Sequence, residues 1–134
     1  MLTLLFIGGN IIISNKSTNF RKEVKEMAKV KNFINDNGNA IPNQFVIYED
    51  NGDITFQSYD SIICQIRGGS LGYDKVVVFG SDWDYSTTTG KYRNKFLRDN
   101  GLSILATKKD ILEALERGHS RKDEAIAVFL DTTM

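Results

Sequence analysis

At 134 residues, with 41% hydrophobic and 25% charged side chains, the chain has the length of one domain, enough apolar material for one core and too much to stay disordered. Seventeen Lys and Arg balance seventeen Asp and Glu, so no net field draws the whole chain to nucleic acid or an anionic membrane, and any basic patch must be local. One cysteine, Cys64, and one histidine, His119, exclude an internal disulfide and a zinc-type ligand cluster, and fit a reducing, cytoplasmic compartment.

The chain opens on an apolar run, LTLLFIGGNIII at 2–13, that lacks a basic leader and a small-residue cleavage site and is too short to span a bilayer. Further on, Lys22-Glu23-Val24 can be encoded AAG GAG GTN, a strong bacterial ribosome-binding sequence with two residues, Lys25 and Glu26, between it and Met27. Two readings of 1–26 stay open: an upstream extension before a natural start at Met27, or a strand followed by the capped amphipathic helix STNFRKEVKEM at 17–27. Without Lys16, Arg21, Lys22, Lys25, Glu23 and Glu26, 13 basic and 15 acidic residues remain, and the domain 27–134 is slightly acidic.

From Gln44 the chain reads QFVIYE, Asp50-Asn51-Gly52-Asp53, then ITFQSY, and Asn-Gly between alternating apolar runs predicts a hairpin, because both central residues can take positive φ. SIICQIR at 61–67 stops at Gly68-Gly69, and KVVVFG follows at 75–80. The expectation is an antiparallel meander of about four strands.

After Gly80 the period changes. Ser86 or Thr87 caps a helix through about Asn100 with Tyr92, Phe96 and Leu97 on one face and Gly101 as its stop. Thr107 caps a second helix, which carries Ile111, Leu112 and Leu115 inward and stops at Gly118. AIAVFLD at 125–131 is a candidate closing strand, and the class is α+β, two helices following a sheet.

The segment Gly80–Lys91 holds the lone tryptophan, two aspartates and a hydroxyl cluster ahead of a helix, whose first turn leaves N–H groups unpaired. Trp83, Asp84, Tyr85, Thr88, Lys91 and Tyr92 are therefore the candidate binding residues; the competing reading is that Trp83 and Tyr85 only bury the joint between sheet and helix. Thr89-Gly90-Lys91 is no phosphate-binding loop, because Tyr85 stands at the first glycine position and Tyr92 follows the lysine. Asp82-x-Asp84-x-Ser86 is no calcium loop, since Arg93 holds the place of the closing glutamate. No cofactor or metal is expected.

Lys91, Arg93, Lys95 and Arg98 interleave with Tyr92 and Phe96, a pattern that suits nucleic acid and equally an amphipathic helix with its charges in water. An enzyme would need Asp82, Asp84 and Lys91 in one pocket. Cys64 reads as a small core residue and His119 as solvated; no nucleophile pair is signalled.

The order Asn43-Gln44-Phe45, Phe56-Gln57-Ser58-Tyr59, Trp83-Asp84-Tyr85-Ser86, then Thr88-Thr89-Gly90-Lys91-Tyr92-Arg93-Asn94 and Phe96-Leu97 resembles a family of small uncharacterised proteins of phages and mobile elements in gut and Gram-positive bacteria. The likeness runs from about Met27 through the 107–117 helix. It implies a mobile-element origin and transfers no catalytic residue. Together these readings point to a non-enzymatic protein that binds a host or phage protein, inhibition of a host defence system being one such action. Nucleic-acid binding through Lys91–Arg98 and an enzyme near Asp82, Asp84 and Lys91 are the alternatives, and a second copy of the chain is a further candidate partner.

Overall fold

The expected hairpin joins β2 (Ala40–Tyr48) to β3 (Ile54–Ser58) in a computed structural model that describes residues 28–134. Val46 faces Phe56 and Tyr48 faces Ile54 in antiparallel register. Gly52 has φ 93°, whereas Asn51 is not among the positive-φ residues, so one residue of the pair, not both, takes the left-handed conformation. The two readings of 1–26 and the start at Met27 lie outside the described residues. Val30–Tyr48 and Gly52–Met134 form one compact unit.

β3 turns through Tyr59-Asp60 into β4 (Ser61–Gly68), which pairs with β5 (Lys75–Phe79). Ahead of β2 stands a strand the sequence did not signal, β1 (Lys29–Ile34), in which Phe33 alone is buried. The order is β1-β2-β3-β4-β5-β6: the expected four strands are β2 to β5, the candidate closing strand is β6, and β1 is the addition. β6 (Ile126–Leu130) runs parallel to β5, and the wholly antiparallel sheet is corrected to a mixed one in an α+β fold.

Parallel neighbours cannot be joined by a tight turn. Here α1 (Thr87–Asp99), a 3-10 turn (Ser103–Leu105) and α2 (Lys108–Arg117) make the crossover. Ser86 caps α1 by accepting from the Thr89 amide at 3.1 Å, and Thr107 caps α2 by accepting from the Asp110 amide at 3.1 Å. Gly118 ends α2 at φ 85°, as expected. Ile111 and Ala114 are buried and Leu115 packs on the core, but Leu112 is exposed, because it lies a third of a turn from that stripe. No helix among the described residues is long and apolar enough to cross a membrane.

α1 packs on β3 and β4, and α2 on β6. The core centres on Phe56, whose ring meets Phe33 edge-on at 5.2 Å and stacks on Phe96 at 5.7 Å. A bulge in β4 sets Phe56 opposite Cys64 and Gln57 opposite Ile62, leaving Ile63 as the extra residue. Both Ile63 and Cys64 are consequently buried despite being adjacent. After β5, a Cβ on Gly80 would lie 2.3 Å from the Ile62 carbonyl oxygen, so only glycine lets the chain leave the sheet this close to β4.

Backbone strain is stored at the loops. Leu71, in the β4–β5 loop, has φ 53° and is 96% exposed, so its side chain offsets none of the left-handed cost. Leu71→Gly should raise stability by about 1 kcal/mol, read as a higher urea midpoint.

Candidate functional site

The carboxyl end of β5 delivers the chain into Gly80–Ser86 and then into α1. Two structures are built from this segment, one internal and one open. The internal one centres on Arg93, which is only 2% exposed. Its Nη1 donates to the Trp83 carbonyl at 2.9 Å and lies 3.4 Å from Asp84 Oδ1. Nε and Nη2 both donate to Asn94 Oδ1, and the guanidinium stacks 5.2 Å from the Trp83 ring. Trp83 in turn meets Phe79 edge-on at 5.8 Å. This is the sheet-to-helix joint: it buries Arg93, while Trp83 is packed against it half-buried.

Asp84 ties the joint to α2 by accepting from Lys108 Nζ at 2.6 Å. That hydrogen bond, with Arg93 beside it, holds the Asp84 carboxyl below its usual range. Burial lowers the Arg93 pKa, opposed by Asp84, yet a guanidinium stays cationic. A depressed carboxylate contributes stability that is present above its ordinary value, near pH 4, and is lost as pH falls through the folded value. Asp84→Asn should therefore flatten the loss of stability below about pH 4, read by urea midpoints across an acid series. The flattening is partial, because Thr133 hydrogen bonds hold Asp131 down in the same window.

The open structure is a cleft of about 580 Å³ between the β3–β4 turn and the head of α1. Tyr59 and Tyr85 both line it and are 61% and 78% exposed. Ile63 forms an apolar wall, and Asp82, half-buried, accepts from the Ser61 hydroxyl at 2.7 Å through Oδ2. Ser86 and Thr89 are spent on the helix cap, with the Ser86 hydroxyl 3.1 Å from Thr89 Oγ1. The charged side chains lining the cleft, Asp60 and Asp82, are both acidic.

Of the predicted binding residues, Tyr85 and Thr88 line this cleft, while Trp83 and Asp84 belong to the joint. Lys91 lies 5.3 Å from the Tyr92 ring, and Tyr92 packs half-buried on Phe33 at 5.9 Å. Of the predicted nucleic-acid residues, Arg93 is buried and Lys95 pairs with Asp99 at 3.0 Å, which leaves Lys91 and Arg98 exposed. Asp82 lines the cleft without Asp84 or Lys91, so the trio an enzyme would need is not brought into it. Cys64 is fully buried, and burial pushes its thiol well above the ordinary range in spite of Arg93. His119 is half-buried rather than solvated, in a bridge to Ala127. Among the described residues no three His, Cys, Asp or Glu converge as metal ligands.

Sequence reasoning missed Tyr59, Asp60 and Ser61 as one wall of the cleft. The available signal was a two-residue turn between alternating runs. Tyr59 occupies it at φ 55°, a conformation costly for a residue with a Cβ.

A family of unknown function, DUF8033, matches residues 28–113. No curated protein and no solved structure matches the chain.

Proposed function

We propose that this chain, which belongs to the family of unknown function DUF8033, is a non-enzymatic accessory protein of a phage or mobile element that acts in the bacterial cytoplasm by binding another protein. Blocking a host defence system is one action open to such a binder. The observation that carries the reading is the pair of exposed tyrosines, Tyr59 and Tyr85, that line the cleft between the β3–β4 turn and α1. Exposed aromatic side chains around a depression are costly to leave in water and dominate the energetics of protein interfaces.

Capture from a bacterial host lysate with the full chain, with and without nuclease, tests the proposal. A stoichiometric protein should survive nuclease and be lost with Tyr85→Ala, a substitution at a 78% exposed residue that should leave folding intact. A partner retained equally by Tyr85→Ala would overturn it. Recovery that collapses with nuclease would move the function to nucleic acid, carried by Lys91 and Arg98, the two exposed cations left on α1.

A further inference from the structure

We infer that the cleft between Tyr59 and Tyr85 receives a cationic side chain, lysine or arginine, of the partner protein; the inference rests on the protein-binding reading above and names what that partner must present. Charge complementarity carries it. The charged lining groups, Asp60 and Asp82, are of one sign. The Ser61 hydroxyl fixes the Asp82 carboxylate through Oδ2, and no hydrogen bond to Oδ1 occurs among the described residues. An oriented, half-buried carboxylate with a free oxygen is suited to accept from an ammonium or guanidinium.

The rest of the cleft fits the rest of such a side chain. Tyr59 and Tyr85 line it with exposed aromatic rings, and such rings attract a cation through their negative quadrupole. The exposed rings of Tyr59 and Tyr85 also supply apolar surface for the methylene stem of lysine or arginine, over a floor closed by the buried Ile63. The chain's own nearby cations are turned elsewhere: Lys91 lies over Tyr92, Lys108 pairs with Asp84, and Arg93 is buried in the joint. An anion is the poorer occupant, because the Ser86 cap already uses the Thr89 amide of the α1 terminus and both carboxylates repel it.

The test is an amide-resolved NMR titration of the full chain with acetyl-Gly-Arg-Gly-amide, its citrulline isostere and inorganic phosphate. The arginine peptide should shift amides of 58–61 and 82–89, with affinity about fivefold or more above the citrulline peptide. Asp82→Asn should lose the same factor, while its side-chain oxygen still accepts from Ser61, so its urea midpoint should match the wild type. Equal response to arginine and citrulline, or a phosphate response at these amides, would overturn the inference. Capture separates the two levels. A partner lost with Tyr85→Ala but held undiminished by Asp82→Asn would leave the binding reading standing and remove the cation.

Discussion

Arg93→Ala should lower the unfolding free energy by about 3–4 kcal/mol, read as a reduced urea midpoint at unchanged m-value. The substitution removes the donor to the Trp83 carbonyl, leaves Asp84 with Lys108 as its one partner and empties the space against the indole. A surface cation in a nucleic-acid interface would behave otherwise, since its loss changes stability by no more than about 0.5 kcal/mol. Arg93→Lys should recover less than half of the loss. An ammonium can reach one of these acceptors but cannot reproduce the planar fork that spans the Trp83 carbonyl and Asn94. A loss below about 1 kcal/mol for Arg93→Ala would show that the joint does not depend on the guanidinium.

Phe56→Ala should cost about 3–5 kcal/mol, because Phe56 is fully buried, in the middle of the sheet, with aromatic neighbours on two sides. Phe33→Ala should cost less. Phe33 sits at 5% exposure on β1, the first strand in the order of the described residues, where the structure can close around a smaller residue. Urea unfolding of the two variants side by side gives the order directly, and a larger loss for Phe33→Ala would place the centre of the core elsewhere. Acid stability of Asp84→Asn and relief of strain at Leu71 probe the loops around this core.

What could be read from the chain follows from which signals are local. The β2–β3 hairpin and both helices were legible because alternation, Ser86, Thr107 and Gly118 act within a few residues. β1 was not, because with only Phe33 buried it has no alternating face to show. The parallel pairing of β6 with β5 was not either. AIAVFLD has the continuous apolar run of a strand covered on both faces, but pairing direction depends on a crossover of more than forty residues.

The site divides along the same line. Tyr85 and Thr88 were legible as residues at a helix start, but the opposite wall arrives from the β3–β4 turn through tertiary structure alone. Arg93 was misplaced for a physical reason. In sequence it is one of four cations at helical spacing, and nothing local reveals that the Trp83 carbonyl and Asp84 lie within reach to satisfy its donors. A single burial event thereby turns one of the four cations of an apparent basic face into a structural clamp.

The most direct test of the central claim is site-specific photo-crosslinking in a bacterial host, with a photoreactive phenylalanine analogue placed at Tyr85, at Tyr59 or at Leu112. All three positions are exposed, but Leu112 lies on α2, outside the cleft lining. One discrete protein adduct is expected, shared by positions 85 and 59, with none at 112. An adduct at 112 of equal yield, or at 112 alone, would contradict the claim.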